Sequence, residues 1–134
     1  MGLTRTGGKL LGSCVAGAST SGVLNSTGAM FVVGSSTAAE SEATTWILAT
    51  TNDMSTMDSG YPTRTVCSTG TELIFRGTYG TTKANFAWRE WGIYNASASS
   101  IDGALLNRKL EEPSLGTKTN AQTWQVTAKV VISA

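Results

Sequence analysis

The chain of 134 residues has no histidine, two cysteines and few charged side chains. Without histidine there is no histidine general base or metal ligand, which removes most catalytic triads and zinc sites. Two cysteines are too few for a disulfide framework or a four-thiolate zinc site. We expect Cys14 and Cys67 to be buried free thiols, because cysteine is often buried, although pairing between them stays open.

Charge and long apolar runs are scarce as well. Charged residues make up 14% of the chain and the formal net charge is +1, which argues against a groove that binds nucleic acid through phosphates. No stretch approaches the roughly 18 apolar residues of a membrane span. Only Leu10 and Leu11 precede a cleavage-like Gly12-Ser13-Cys14, so we expect neither membrane insertion nor a signal peptide.

Threonine, serine, glycine and alanine fill the gap left by charged residues. Threonine favours strands, whereas glycine and serine favour turns. The length suits one domain with a core of its own. Short apolar segments about ten residues apart, with turn residues between them, predict an all-β fold, a single-domain antiparallel β-sandwich of jelly-roll-like form. We expect an extended N-terminal arm over residues 1–28 and the sandwich over residues 29–134.

Most strands are predicted from local pattern. The predicted strands are 29–33, 44–49, 63–68, 73–79, 104–110 and 124–132. The pattern favours a short helical turn before residue 44 and a loop over residues 52–62. The last strand has the clearest alternation. One face of it carries Trp124, Val126, Ala128, Val130 and Ile132.

The segment Trp88–Asn95 is an aromatic strand interrupted by adjacent charges. Phe86 and Trp88 share one phase of the alternation, whereas Trp91 and Ile93 share the other. The phase changes across Arg89-Glu90, so we predict a β-bulge there.

Carboxylates are the remaining candidates for catalysis, as a glycosidase-like acid pair. Glu90 with Glu72 is one combination, and Glu111 with Glu112 is the other. Adjacent residues of an extended chain point to opposite sides, so Glu111 and Glu112 do not converge on one bond. We therefore expect no catalytic, cofactor-binding or metal site, and no enzyme.

Glu90 has two interpretations, as do the tryptophans. Glu90 is either an acid in a cleft or a structural partner of Arg89, Arg76 or the backbone at the bulge, and the structural interpretation is favoured.

If exposed, three tryptophans form a carbohydrate platform, but on alternating strands they are more often core. These are Trp88, Trp91 and Trp124.

Four segments resemble small virion proteins of tailed bacteriophages and the tail-collar domain that attaches phage tail fibres. The resemblance covers roughly residues 30–132. The segments are Phe31–Ala38, Trp88–Asn95, Gly103–Arg108, and Thr117–Thr119 with Trp124–Thr127.

The resemblance implies a virion structural protein, assembled in the host cytoplasm. No fibre shaft follows the matching region before Ala134, which favours a head decoration protein that binds the major capsid protein. The alternative is a baseplate or tail-fibre adaptor, and a further alternative is a carbohydrate-binding module. The resemblance also implies a homo-oligomer, such as a trimer, with neither nucleic acid nor membrane as partner.

Overall fold

The computed structural model describes residues 2–5, 7–8, 24–41, 43, 47, 49–68, 70–95 and 105–133. The described residues form eight strands, all paired antiparallel, in a five-stranded sheet of order β1-β7-β6-β2-β3 and a three-stranded sheet of order β4-β5-β8. The strands are β1 (Gly2–Leu3), β2 (Ala29–Gly34), β3 (Asn52–Thr56), β4 (Thr63–Cys67), β5 (Gly70–Tyr79), β6 (Glu90–Asn95), β7 (Leu105–Leu110) and β8 (Trp124–Ser133). The predicted all-β sandwich is confirmed.

The main core lies between the two sheets. Its buried members are Ala29, Phe31, Val33, Met57, Phe75, Tyr79, Ala84, Trp88, Ile93, Leu106 and Ala128. The hydroxyl of Tyr79, on β5, donates to the carbonyl of Phe31, on β2, at 3.1 Å. Burial, helped by the charge of Asp53, raises the pKa of Tyr79 far above its usual value. The phenol therefore stays a neutral donor that joins the sheets.

Strand β2 is buried on both faces, which explains its unbroken apolar run. Phe31 and Val33 point into the main core, whereas Val32 packs with Ile47 and Leu105 in a second cluster on the outer face of the five-stranded sheet. A strand covered on both sides loses the apolar–polar alternation of a half-exposed strand.

The start of the chain belongs to the sandwich. Gly2 and Leu3 pair with Arg108 and Asn107 of β7. Thr4 is buried and its hydroxyl contacts the carbonyl of Leu105 at 2.5 Å. The predicted arm therefore does not include these first residues. Residues 9–23 lie outside the described part of the chain, so for them the arm stays a prediction. Most of the predicted strand 44–49 also lies outside the described residues.

Strand β3 corrects the prediction of a loop over residues 52–62. Asn52–Thr56 pairs with β2 over its whole length, and the irregular connection begins only after the isolated bridge at Met57. Its polar sequence lacks apolar alternation because β3 is an edge strand with one face open to water. The helical turn predicted before residue 44 is absent from residues 35–41, which have no regular structure.

The predicted bulge at Arg89-Glu90 is wrong. Strand β6 begins at Glu90, and Trp88 precedes it in a segment that bonds with residues 115–117 instead. The irregularity lies between Ile93 and Tyr94, where Leu106 is the extra residue of β7. The phase of the alternation therefore changes because Trp88 and Trp91 belong to segments with different neighbours. Trp88 bonds with residues 115–117, whereas Trp91 lies in β6 between β7 and β2.

Among the described residues, no helix is long and apolar enough to span a bilayer.

Candidate functional site

Glu90 lies in a buried ion pair on the outer face of the five-stranded sheet. Its Oε2 is 2.5 Å from Nε of Arg108, and both side chains are at most 1% exposed. Its Oε1 accepts a hydrogen bond from the backbone of Ala49 at 2.9 Å. The partner is thus neither Arg89 nor Arg76, as the sequence suggested, but an arginine 18 residues away on the adjacent strand.

The same arginine holds the segment that covers this face. Its guanidinium donates to the carbonyls of Ala38 at 2.8 Å and Ala39 at 3.2 Å. Gly34 leaves the necessary room, because a Cβ there would lie 2.5 Å from Oε1 of Glu90. The ion pair thus bonds to backbone groups of three residues outside the strands, so the arrangement serves to hold Ala38, Ala39 and Ala49 on the sheet.

Each of the other candidate carboxylates pairs with a cation of its own. Glu72 lies on the three-stranded sheet and pairs with Lys129 at 3.3 Å. Glu111 pairs with Lys109 at 2.8 Å, whereas Glu112 lies 3.6 Å from a different cation, Arg89. Glu72 and Glu90 thus lie on different sheets, and Glu111 and Glu112 pair with different cations.

Glu111 also accepts a hydrogen bond from Nε1 of Trp91 at 2.9 Å. Burial opposes its ionisation, but the hydrogen bonds from Lys109 and Trp91 outweigh that effect and lower the pKa of Glu111. A lowered pKa in the folded state stabilises the fold above the pKa of the unfolded chain, and this stabilisation is lost as pH falls through the folded-state value.

We therefore expect Glu111→Gln to unfold at a lower temperature than the unmodified protein near pH 7 and to match it under strongly acidic conditions. Melting curves followed by circular dichroism over this pH range measure the difference. Glu112→Gln is the control and is expected to change little, because its ion pair is exposed. A difference for Glu111→Gln that grows toward acid pH would contradict this assignment.

The three tryptophans do not form an exposed platform. Trp88 is 3% exposed, and its ring packs edge-on against Tyr79 at 4.9 Å and Trp124 at 5.0 Å between ring centroids. Trp91 and Trp124 are half-buried at the margin of the core. The core interpretation therefore holds for Trp88, and the other two present only part of their surface to solvent.

Two shallow clefts follow the free edge of β8. The first, of about 380 Å³, lies beside Trp88 and Trp124, and the second, of about 490 Å³, lies beside Trp91 and Lys129. Leu115 lines both clefts. Segment 111–117 thus covers the first half of β8, while the second half has no such cover among the described residues.

Among the described residues, the exposed large apolar side chains are concentrated at one end of the three-stranded sheet. We call residues 64–67, 70–73 and 130–133 the tongue. Of four exposed large apolar side chains among the described residues, three belong to it: Val66 at 69%, Val131 at 49% and Ile132 at 44% exposed. Val66 and Ile132 share its inner face and Val131 lies on its outer face, so both faces expose apolar groups. Exposed apolar patches mark interaction surfaces in soluble proteins.

Cys67 lies at the tip of the tongue and is exposed, so the prediction that it is buried is wrong. Cys14 lies outside the described residues. The tongue could not be found from sequence, because the alternation of β8 predicts its apolar face without showing that Ile132 on that face is exposed. The register that places Thr71 between Val66 and Ile132 is tertiary information.

Lys118 is a buried cation that the sequence gave no reason to single out. It is 1% exposed, and its Nζ donates to the carbonyl of Gly80 at 2.6 Å and to Oδ1 of Asn85 at 2.8 Å. These bonds fasten the loop after β5 to the loop before β8. The role is structural, since each contact is to a carbonyl oxygen of a neighbouring loop.

No group of three or more metal-ligating side chains occurs in the part of the chain that the structure describes. Comparisons with protein-family models, with curated proteins and with solved structures found no match to this chain.

Proposed function

We propose that this protein is a structural component of a tailed-bacteriophage virion, most simply a head decoration protein that binds the major capsid protein. The observation that carries the proposal is where the four phage-like segments lie. Three of them contribute the adjacent strands β2, β6 and β7 at the centre of the five-stranded sheet. The resemblance therefore follows one continuous structural unit.

The fourth segment completes that unit. Thr117 forms an isolated bridge with Ala87, directly before Trp88. The ring of Trp88 then contacts that of Trp124 at the start of β8. Residues 30 and 36 positions apart in the sequence thus meet at this place. The fourth segment therefore lies beside the second in the folded chain, which supports the proposal.

A structural role also suits the rest of the surface. The described carboxylates engage separate partners, which favours a binding and stabilising function over a catalytic one. The net charge of +1 lets many copies pack closely without strong repulsion. The tongue offers apolar groups for association.

Immunogold electron microscopy on the purified particles, with antibody against this protein, tests the proposal. Dense label over the head is the expected result. Label confined to the tail end would replace it with the adaptor alternative, and unlabelled particles that contain no copy by mass spectrometry would overturn the virion assignment. Copy number relative to the major capsid protein provides the control, because an adaptor is present in far fewer copies.

A carbohydrate-binding module is the second candidate, because Trp91 and Trp124 each line a cleft. Aromatic rings partly open to solvent are common in sugar sites. Titration with a panel of oligosaccharides, followed by tryptophan fluorescence, distinguishes the candidates. Unchanged emission from the native protein supports the structural role.

A further inference from the structure

The free edge of β8 has the properties of a strand that pairs with another strand. Within the described residues β8 pairs only with β5, although it is ten residues long. Segment 111–117 covers its first half, but Lys129 is the only charged residue of the second half. Monomeric proteins usually protect such edges with proline, charge or bulges, because an open edge recruits other strands.

We propose that two copies of this chain associate through β8, antiparallel and about a two-fold axis at Val130, to form one six-stranded sheet. The inference concerns the isolated protein and goes beyond the proposed function, since it holds or fails without any virion. A two-fold axis perpendicular to a sheet joins the same patch on both copies. Directly opposite residues of an antiparallel pair have their side chains on the same face of the sheet. Because side chains alternate between faces along a strand, the two-fold axis must pass beside a residue and not between two residues.

Charge selects Val130 as the centre. This register places Val131 of one copy opposite Lys129 of the other. Glu72 is the neighbour of Val131 on the other side, in β5. Each Val131 therefore lies between Glu72 of its own copy and the lysine of the second copy, which are ~10 Å apart across two strand spacings. The long side chains of this pair reach each other over the valine. Glu72 already pairs with Lys129 of its own copy at 3.3 Å, so the register joins the two pairs into one network of four alternating charges.

Other centres fit less well. An axis at Lys129 places the two lysines directly opposite each other, which is destabilising. An axis at Val131 places Lys129 opposite Ser133, where it gains no carboxylate. An axis at Ile132 pairs only the last few residues of the strand. The Val130 register uses residues 127–133, so only Thr127 and Ala128 of the covered half take part.

The opposite face of the same register is apolar. Val130 lies opposite its own copy, and Ile132 lies opposite Ala128. Ile132 is 44% exposed in the single chain, whereas Ala128 is 4% exposed and lines the cleft of about 490 Å³ beside Lys129. The incoming strand would cover Ile132 and enter this cleft. Pairing thus removes apolar surface from water on one face and aligns opposite charges on the other.

The first test is a charge exchange at Val131 in the full chain, read by sedimentation equilibrium. The unmodified protein is expected to form dimers. Val131→Lys adds a second lysine opposite Lys129 on each side of the axis and is expected to weaken dimerisation about ten-fold. Val131→Glu places a carboxylate there and is expected to leave the dimer as strong or stronger. Val66→Lys, the same substitution on the opposite edge of the tongue, is the matched control.

A cross-link tests the register directly. In a variant with Cys14→Ser and Cys67→Ser, Val130→Cys places two thiols opposite each other at a Cα distance of about 4.5–5.5 Å, within the range of a disulfide. We expect a covalent dimer on mild oxidation, and none from Val66→Cys in the same background. A protein that is monomeric at all concentrations, equal effects of lysine and glutamate at Val131, or cross-linking only through position 66 would overturn the proposal.

Discussion

Replacing Arg108 with methionine is expected to lower the free energy of unfolding by about 3–5 kcal/mol, because it leaves a charged Glu90 buried without its cation. Both side chains are at most 1% exposed, so water cannot take the place of the guanidinium. The variant also loses the bonds that hold Ala38 and Ala39 on the sheet. Urea denaturation followed by circular dichroism measures the change.

Two further variants test whether the loss of stability comes from the burial of the ion pair. Arg89→Met removes an arginine whose side chain is 37% exposed and whose partner Glu112 is 3.6 Å away, so its expected effect is under about 1 kcal/mol. The double variant Arg108→Met with Glu90→Gln should recover part of the loss, because no buried charge remains. Equal losses in Arg108→Met and Arg89→Met would contradict the role assigned to burial.

Replacing Trp88 with alanine is expected to lower the free energy of unfolding by about 3–5 kcal/mol. The change removes a fully enclosed ring, its edge-on contacts with Tyr79 and Trp124, and its hydrogen bond to the carbonyl of Ala84 at 3.0 Å. Native domains are stable by only about 5–15 kcal/mol. The expected loss is therefore a large part of the total, and denaturation followed by circular dichroism records it.

Leu115→Ala is the control for this prediction, because Leu115 is 52% exposed in the clefts beside β8. We expect it to change the free energy of unfolding by no more than about 0.5 kcal/mol. A Trp88→Ala variant as stable as Leu115→Ala would mean that Trp88 is not a core residue. The carbohydrate interpretation of the tryptophans would then regain support.

Sequence pattern was reliable where the burial of a strand shows in its own residues, as alternation when one face is buried and as an unbroken apolar run when both are. The alternation of Trp124, Val126 and Ala128 predicts the inner face of β8, and the unbroken apolar run of β2 predicts a buried strand. Strand β3 was missed for the converse reason. Its Asn, Asp, Ser and Thr residues show no alternation of apolar and polar side chains. It forms a strand because it pairs with the edge of β2.

Partners of polar groups were less predictable, because sequence proximity is a poor guide to contacts across a sheet. Arg89 is adjacent to Glu90 in the chain, yet neighbours on a strand point to opposite faces. Arg108 contacts Glu90 because β7 lies beside β6 in the sheet. Lys118 escaped notice for the same reason, since its acceptors come from a loop more than 30 residues away.

The sequence by itself determined an all-β single domain with most of its strands, because side-chain period and turn residues act locally. It also determined the low charge and the absence of histidine, which narrow the chemistry available. Only the tertiary structure decided that Glu90 pairs with Arg108, that residues 2–3 join the sheet, and that Val66 and Ile132 of the tongue are exposed. Each of these depends on strand order and register, which link residues far apart in the chain.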